Sequence, residues 1–165
     1  MNLIVAVDQN WAIGKNGDLL FHLKGDMKRF RQMTTGKTVL LGRKTLESFP
    51  GEKPLPNRRN VVLTSGSRQQ PGMEVVHTMA ELAAAANGEP EDDVFVIGGG
   101  SVYAALLSRC RRAYITRVEA VDREADTFFP NLDKLPGWEI EKTGEAMEEN
   151  GVIYRFVDYI NRNIQ

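Results

Sequence analysis

The chain has 165 residues, 42% of them hydrophobic and 26% charged, which is the range of one soluble globular domain (residues 1–165) with a single core. A formal net charge of -1 argues against a nucleic-acid binder, the single cysteine excludes an intrachain disulfide, and with only His22 and His77 besides Cys110 no metal site is expected. The opening MNLIVAVDQN has none of the parts of a secretory leader and no stretch reaches membrane-spanning length, so a cytoplasmic protein without a membrane anchor is expected, with a monomer as the default.

In chain order, residues 2–7 form a nearly continuous apolar run ended by Asp8, which predicts a strand buried on both faces. Asp8 to Lys24 reads as loop, broken by Gly14, Asn16, Gly17 and Asp18. GDMKRFRQMT predicts a helix with Met27, Phe30 and Thr34 on one face and Asp26 in its first turn. TVLLG is a second buried strand, followed at once by a short helix, RKTLESF, and by the Pro- and Gly-rich PGEKPLPN. RNVVLT and EVVH are strands, and Thr78 to Glu81 has the capping-box pattern before an alanine-rich helix. DDVFVI is a strand, GGG breaks it, SVYAALLS is a helix and RAYITRVEA a strand again. This alternation predicts a mostly parallel sheet. At the end, WEIEKTGEAM and GVIYRFVDYI are extended runs joined across Asn150-Gly151, the signal of a tight antiparallel hairpin.

Three segments carry candidate chemistry. Gly98-Gly99-Gly100 lies between a buried strand and a helix, where absent side chains let phosphates approach backbone N–H groups; a plain tight turn needs the same residues. Gly42-Arg43-Lys44-Thr45 repeats the arrangement, with two cations where the helix dipole disfavours them. Such cations suit an anion, with an adenosine 2'-phosphate as the natural candidate, although exposed helix residues also look like this. Asp26 beside Met27 and Phe30 places one carboxylate among apolar side chains, able to take two hydrogen bonds from an N–C–N edge; an acid in a first helical turn is also favoured wherever it occurs. The charge is uneven as well. Residues 1–117 carry 16 Lys or Arg against 11 Asp or Glu, while residues 118–165 carry 5 against 11. The basic part could serve anionic small molecules, or both parts could be ordinary solvated faces.

Together VDQNWAIGKNGDL, GDMKRF, LLGRKTLESF, PLPNRRNVVLT, VIGGGSVY and DTFFP, in this order and spacing, make the whole chain resemble the dihydrofolate reductase family in its monofunctional, bacterial chromosomal type. The resemblance implies a central eight-stranded, mostly parallel sheet with an antiparallel C-terminal strand and helices on both faces. It implies NADPH as cofactor and reduction of 7,8-dihydrofolate to tetrahydrofolate, by hydride transfer from nicotinamide C4 to pterin C6 with protonation of N5, supporting one-carbon metabolism and thymidylate, purine and amino-acid synthesis. Dihydrofolate and antifolate inhibitors are the implied ligands.

By the same resemblance Asp26 matches the acid that pairs with the pterin, with Thr116 supporting it; Leu19 and Phe21 complete the implied catalytic set. Arg58 matches the arginine that clamps the tail carboxylate, Arg59 being the weaker candidate, and Arg31 stands near it in the implied substrate set. Ile4, Val5, Ala6, Met27, Phe30, Phe49, Leu55, Ile97 and Tyr103 are the implied substrate walls, with the Val5 and Ile97 carbonyls at the pterin's 4-position edge. The implied cofactor contacts are Ala6, Ile13, Gly14, Asn16, Gly17, Asp18 and Leu19; then Gly42, Arg43, Lys44 and Thr45; then Leu63, Thr64 and Ser65; and finally Ile97, Gly98, Gly99, Gly100, Ser101, Val102 and Tyr103, with a cis peptide between Gly98 and Gly99.

The loop departs from the family's pattern. Leu20-Phe21 stands where Pro-Trp is usual and Lys24 where proline is common, so the indole N–H donor is lost and the route of proton delivery is open. Ser101 replaces a cation often found after the glycines, with Arg68 as the candidate substitute. Two rivals stand beside this reading: a fold relative that reduces a ribosylaminopyrimidine in riboflavin synthesis, and a non-catalytic pterin or NADPH binder.

Overall fold

A computed structural model describes residues 1–164. In chain order the elements are β1 (Asn2–Val7), β2 (Ala12–Lys15), β3 (Asp18–Leu19), α1 (Lys24–Thr34), β4 (Thr38–Gly42), α2 (Arg43–Glu47), β5 (Arg59–Leu63), β6 (Met73–Val76), α3 (Met79–Ala84), β7 (Val94–Gly98), α4 (Gly100–Leu106), β8 (Arg112–Val118), β9 (Thr127–Phe128), β10 (Trp138–Thr143), β11 (Met147–Glu149) and β12 (Val152–Asn161). The main sheet runs β10-β12-β8-β1-β7-β4-β5-β6, with β11 appended to β12. Its six strands from β8 to β6 are parallel, and β12 is antiparallel to each of its three partners. The alternation of strands and helices therefore yields the expected mixed sheet, with one additional short strand.

Because the central strands are covered on both faces, their apolar residues run continuously rather than alternately. Along β1, Leu3, Val5 and Val7 enter one core together with Leu82 of α3 and Val102 and Leu106 of α4. Ile4 enters the other, with Leu46 of α2 and Phe30 and Met33 of α1. Leu3, Leu40 and Leu41 are fully buried, each worth about 1.5–3 kcal/mol of hydrophobic stabilisation. Cys110, at the entrance to β8, is fully buried as well, and its thiol is bonded to the Leu106 carbonyl at 3.4 Å.

The stretch Asp8–Lys24 is not the plain loop expected of it. Asn16-Gly17, with φ of 52° and 78°, turns β2 into β3, and β9 joins β2 to complete a small three-stranded sheet. The glycine and asparagine that read as loop breakers are the hairpin's turn residues. Burial supplies the rest: Trp11, Ala12 and Ile13 are in the core, with Trp11 stacked on Phe129 at 6.2 Å and edge-on to Tyr159 at 6.0 Å. The fully buried Asp8 carboxylate fastens this unit by accepting N–H bonds from Asn10, Ala12 and Asp122.

At the other end, the extended run expected over residues 138–147 is divided into β10 and β11, both paired to β12, because residues 144–146 leave the ladder between them, past a last N–H bond from Gly144 to the Phe156 carbonyl at 2.8 Å; a further register shift lies inside β10, between Ile140 and Lys142. The Asn150-Gly151 turn, with φ of 51° and 80°, joins β11 to β12. No helix among the described residues is long and apolar enough to cross a membrane.

Candidate active site

The strand order creates the site. β4 and β7 are parallel neighbours, yet α2 leaves β4 toward the Ile4 core and α4 leaves β7 toward the Leu3 core. A crevice opens between diverging helices at the carboxyl ends of two such strands, where open sheets hold their ligands. Both glycine turns lie on its rim. The Gly98-Gly99 peptide is cis, and the Thr45 hydroxyl lies over it so closely that a Cβ added at Gly98 would stand 3.0 Å from the oxygen. A Cβ at Gly100 would stand 2.8 Å from the Thr127 methyl, and one at Gly14 would stand 3.4 Å from Thr127 Cβ. Thr127 therefore joins the β2 strand to the β7 turn. Its position in DTFFP gave no direct sign of this role.

Neither N-cap residue, Gly42 for α2 or Gly99 for α4, has a side chain with which to cap its helix. First-turn N–H groups thus face the crevice side of two strands without side-chain acceptors, a donor set that suits phosphate oxygens. The two cations beside Gly42 differ. Arg43 is bonded through one guanidinium nitrogen to both Glu47 oxygens, at 2.9 and 2.8 Å, whereas Lys44 is exposed and makes no ion pair among the described residues. Leu63 packs at the edge of the Leu3 core, Thr64 is buried with its carbonyl 2.9 Å from His77 Nδ1, and Ser65 and Ser101 are exposed. Arg68 does not fill the place of a cation after the glycines, because Glu52 holds it at 2.9 Å.

Across β1 from this crevice, the partly buried Asp26 accepts a 2.5 Å hydrogen bond from the Thr116 hydroxyl. Thr116 lies on β8 opposite Ala6 of β1. Burial pushes the Asp26 carboxyl above the usual range, opposed by the Thr116 hydrogen bond and by Arg29, and reinforced by Glu149. Five of the expected wall residues, Ile4, Phe30, Phe49, Leu55 and Ile97, form one cluster on this face of the sheet. Val5, Ile13, Val102 and Tyr103 belong to the opposite core. Tyr103 nonetheless reaches the first face: its hydroxyl donates to the Ile4 carbonyl at 2.7 Å. The β1 carbonyl that Tyr103 meets is that of Ile4, one residue before Val5. Met27 and Leu19 are more than half exposed, and Phe21 packs against Leu23, Val118 and Tyr154.

Arg58 extends this wall. Its guanidinium donates to Thr34 Oγ1 (2.9 Å), Thr35 Oγ1 (3.3 Å) and the Pro56 carbonyl (2.9 Å), all neutral oxygens, and lies 5.9 Å from the Phe30 ring centre. Burial and then the neighbouring Arg31 lower its pKa, as expected of two cations set side by side without an anion. Arg59, by contrast, is ion-paired to Glu74 and Glu89.

The family model described as dihydrofolate reductase matches residues 1–161. The chain belongs to the dihydrofolate reductase family. It is 36% identical to the dihydrofolate reductase of Bacillus subtilis (strain 168), covering 99% of this chain and 95% of that protein, and 39% identical to that of Haemophilus influenzae, covering 94% and 95%. Among solved structures it resembles dihydrofolate reductase from Enterococcus faecalis complexed with NADP(H) and RAB-propyl, with a TM-score of 0.85, 35% identity, and coverage of 97% of this chain and 95% of that one. In this dihydrofolate reductase family member, Phe21 is an apolar plate with no polar hydrogen to donate, and the start of the Asp26 helix is held from far along the chain: the Glu149 carboxylate accepts the N–H groups of Lys24 and Gly25.

Proposed function

We propose that this chain is an NADPH-dependent dihydrofolate reductase acting as a cytoplasmic monomer in one-carbon metabolism. The observation that carries this reading is the Asp26–Thr116 pair, a supported carboxylate in an otherwise apolar wall beside a glycine-lined crevice. Thr116 occupies one lone pair of Asp26 and leaves others for the N3–H and 2-amino group of a pterin. Because burial makes its charge costly, Asp26 favours a ligand that brings two donors or a proton of its own. The Ile4 carbonyl, already accepting from Tyr103, keeps a second lone pair for the amino group of an antifolate.

Arg58 and Arg31 form the receiving end for the glutamate tail, with Thr34 and Thr35 fixing the plane of the Arg58 guanidinium. The uncapped turns at Gly42 and Gly99 suit the pyrophosphate and the 2'-phosphate of NADPH, with Lys44, which has no ion pair among the described residues, as the cation beside them. When bound, NADPH supplies the hydride that pterin C6 accepts. Asp26 binds the pyrimidine edge remote from N5, and Phe21 has no N–H with which to order water, so N5 takes its proton from solvent that reaches it past the loop.

The test is a spectrophotometric assay. The purified protein is expected to oxidise NADPH only when dihydrofolate is added, and to ignore the ribosylaminopyrimidine of riboflavin synthesis. Absence of dihydrofolate-dependent oxidation by folded protein would refute the reading.

A further inference from the structure

We propose that Glu149 is a positioning residue of this site: from the β11–β12 turn it caps the helix that carries Asp26 and sets the field around that carboxylate. The proposal rests on the dihydrofolate reading above for its kinetic consequences, though not for its geometry.

The helix lacks a local cap. Leu23 stands at the N-cap of α1 and has no acceptor side chain, so the N–H groups of Lys24 and Gly25 have no partner of their own. Glu149 supplies both, one through each oxygen: Oε2 accepts from Lys24 at 2.7 Å and Oε1 from Gly25 at 3.1 Å. A proline at position 24 would leave the shorter bond without a donor. The approach is close. Tyr154, on the same face of the hairpin, puts its hydroxyl against Gly25, where any Cβ would collide with it. The anion thus meets the positive end of the helix dipole within two residues of Asp26.

The other groups facing Asp26 are few. Arg29 follows on α1 and is held by Asp158 at 2.8 Å and by the Phe156 ring at 4.2 Å. Thr116 comes from β8, and the phenols of Tyr154 on β12 and Tyr103 on α4 both feel the Asp26 charge. Burial is the largest influence raising Asp26, and Glu149 is the one acid that adds to it. A capping carboxylate here therefore both fixes where Asp26 stands and makes the pocket more receptive to a protonated pterin.

The titration of Asp26 in the ligand-free protein tests this without requiring turnover. Carbon-13 NMR of aspartate-labelled protein, with the Asp26 signal identified by its loss in Asp26→Asn, is compared between wild type and Glu149→Gln. The amide keeps one acceptor oxygen and removes the charge, so the Asp26 midpoint is expected to fall and the KM for dihydrofolate to rise severalfold. An unchanged or higher midpoint in folded Glu149→Gln would overturn the proposal. Should that variant fail to fold, Lys24→Pro, compared with Lys24→Gln to account for the lost ammonium, removes the shorter hydrogen bond and keeps the Glu149 charge. It is expected to raise the KM while leaving the midpoint in place, and an unchanged KM would also overturn the proposal. Wild-type turnover, measured alongside, reports separately on the dihydrofolate reading.

Discussion

Asp26 combines a function with a cost. Its carboxyl is raised by burial more than Thr116 and Arg29 lower it, so the folded state binds that proton more tightly than the unfolded chain does. Stability from this group is fully present below the ordinary carboxylate range and is lost as pH rises through the raised value. Asp26→Asn is therefore expected to be more stable than wild type at neutral pH and equal to it near about pH 3, while its activity falls by roughly 10²-fold or more. Urea denaturation at the two pH values checks this, and a less stable variant at neutral pH would contradict it. Asp26 and Arg58 were singled out from sequence because each lies in a characteristic run of residues, and Thr116 because the resemblance sets it beside Asp26, a contact the structure contains. The hydrogen bond from Tyr103 to the Ile4 carbonyl could not be read there, since it joins residues 99 apart and uses a backbone atom that every residue has. Nor could the difference between Arg43 and Lys44, which depends on whether Glu47 is within reach.

Among the elements, those with a local cause were the most legible. Thr78 caps α3 by accepting the Glu81 N–H at 3.0 Å, as its four-residue pattern predicts, although its hydroxyl turns to the Glu81 carboxylate in place of the reciprocal backbone bond. Thr78→Ala is expected to cost about 1 kcal/mol in denaturant unfolding. Its kcat should hold, because α3 packs in the Leu3 core and Asp26 stands over the other face. The β2–β3 hairpin was misread because its Asn16-Gly17 turn is only half of its cause: the rest is the burial of Trp11 by Phe129 and Tyr159, from the far end of the chain. The short helices also end earlier than their composition suggests. α2 stops at Glu47, where Ser48 bonds back to Thr45, and α3 stops at Ala84 within an alanine run.

Over the whole molecule, the uneven charge along the sequence becomes uneven charge across the sheet. The acidic C-terminal part forms β10, β11 and β12 at one end, while Arg43, Lys44 and Arg58 border β4 and β5 toward the other. Part of the acidic strip is neutralised locally, by Arg112 on Glu141 and Arg162 on Glu139. In the cleft Arg43 is likewise paired, to Glu47, but Lys44 and Arg58 make no ion pair among the described residues, so they should draw in anionic ligands over distances that salt can screen. Raising the ionic strength from about 0.02 to 0.3 M is expected to raise the KM for NADPH severalfold with kcat little changed. Replacing Arg43 and Lys44 by alanine should flatten that dependence, and an equal slope would show that neither residue steers the cofactor. The strand order itself was beyond reach of pattern reading: β7, which follows β5 and β6 in the sequence, lies between β1 and β4, a matter of long-range pairing that no local period encodes.

The same sheet encloses the chain's one thiol. Cys110 is sealed by β12, whose Asn161 side chain donates to its carbonyl at 3.1 Å, and burial pushes the thiol up to about 12. A thiol-directed alkylating reagent consequently finds no thiolate on the native molecule and no path to one. Every molecule modified at Cys110 is one that has come open, and the protein carries a built-in recorder of its own unfolding.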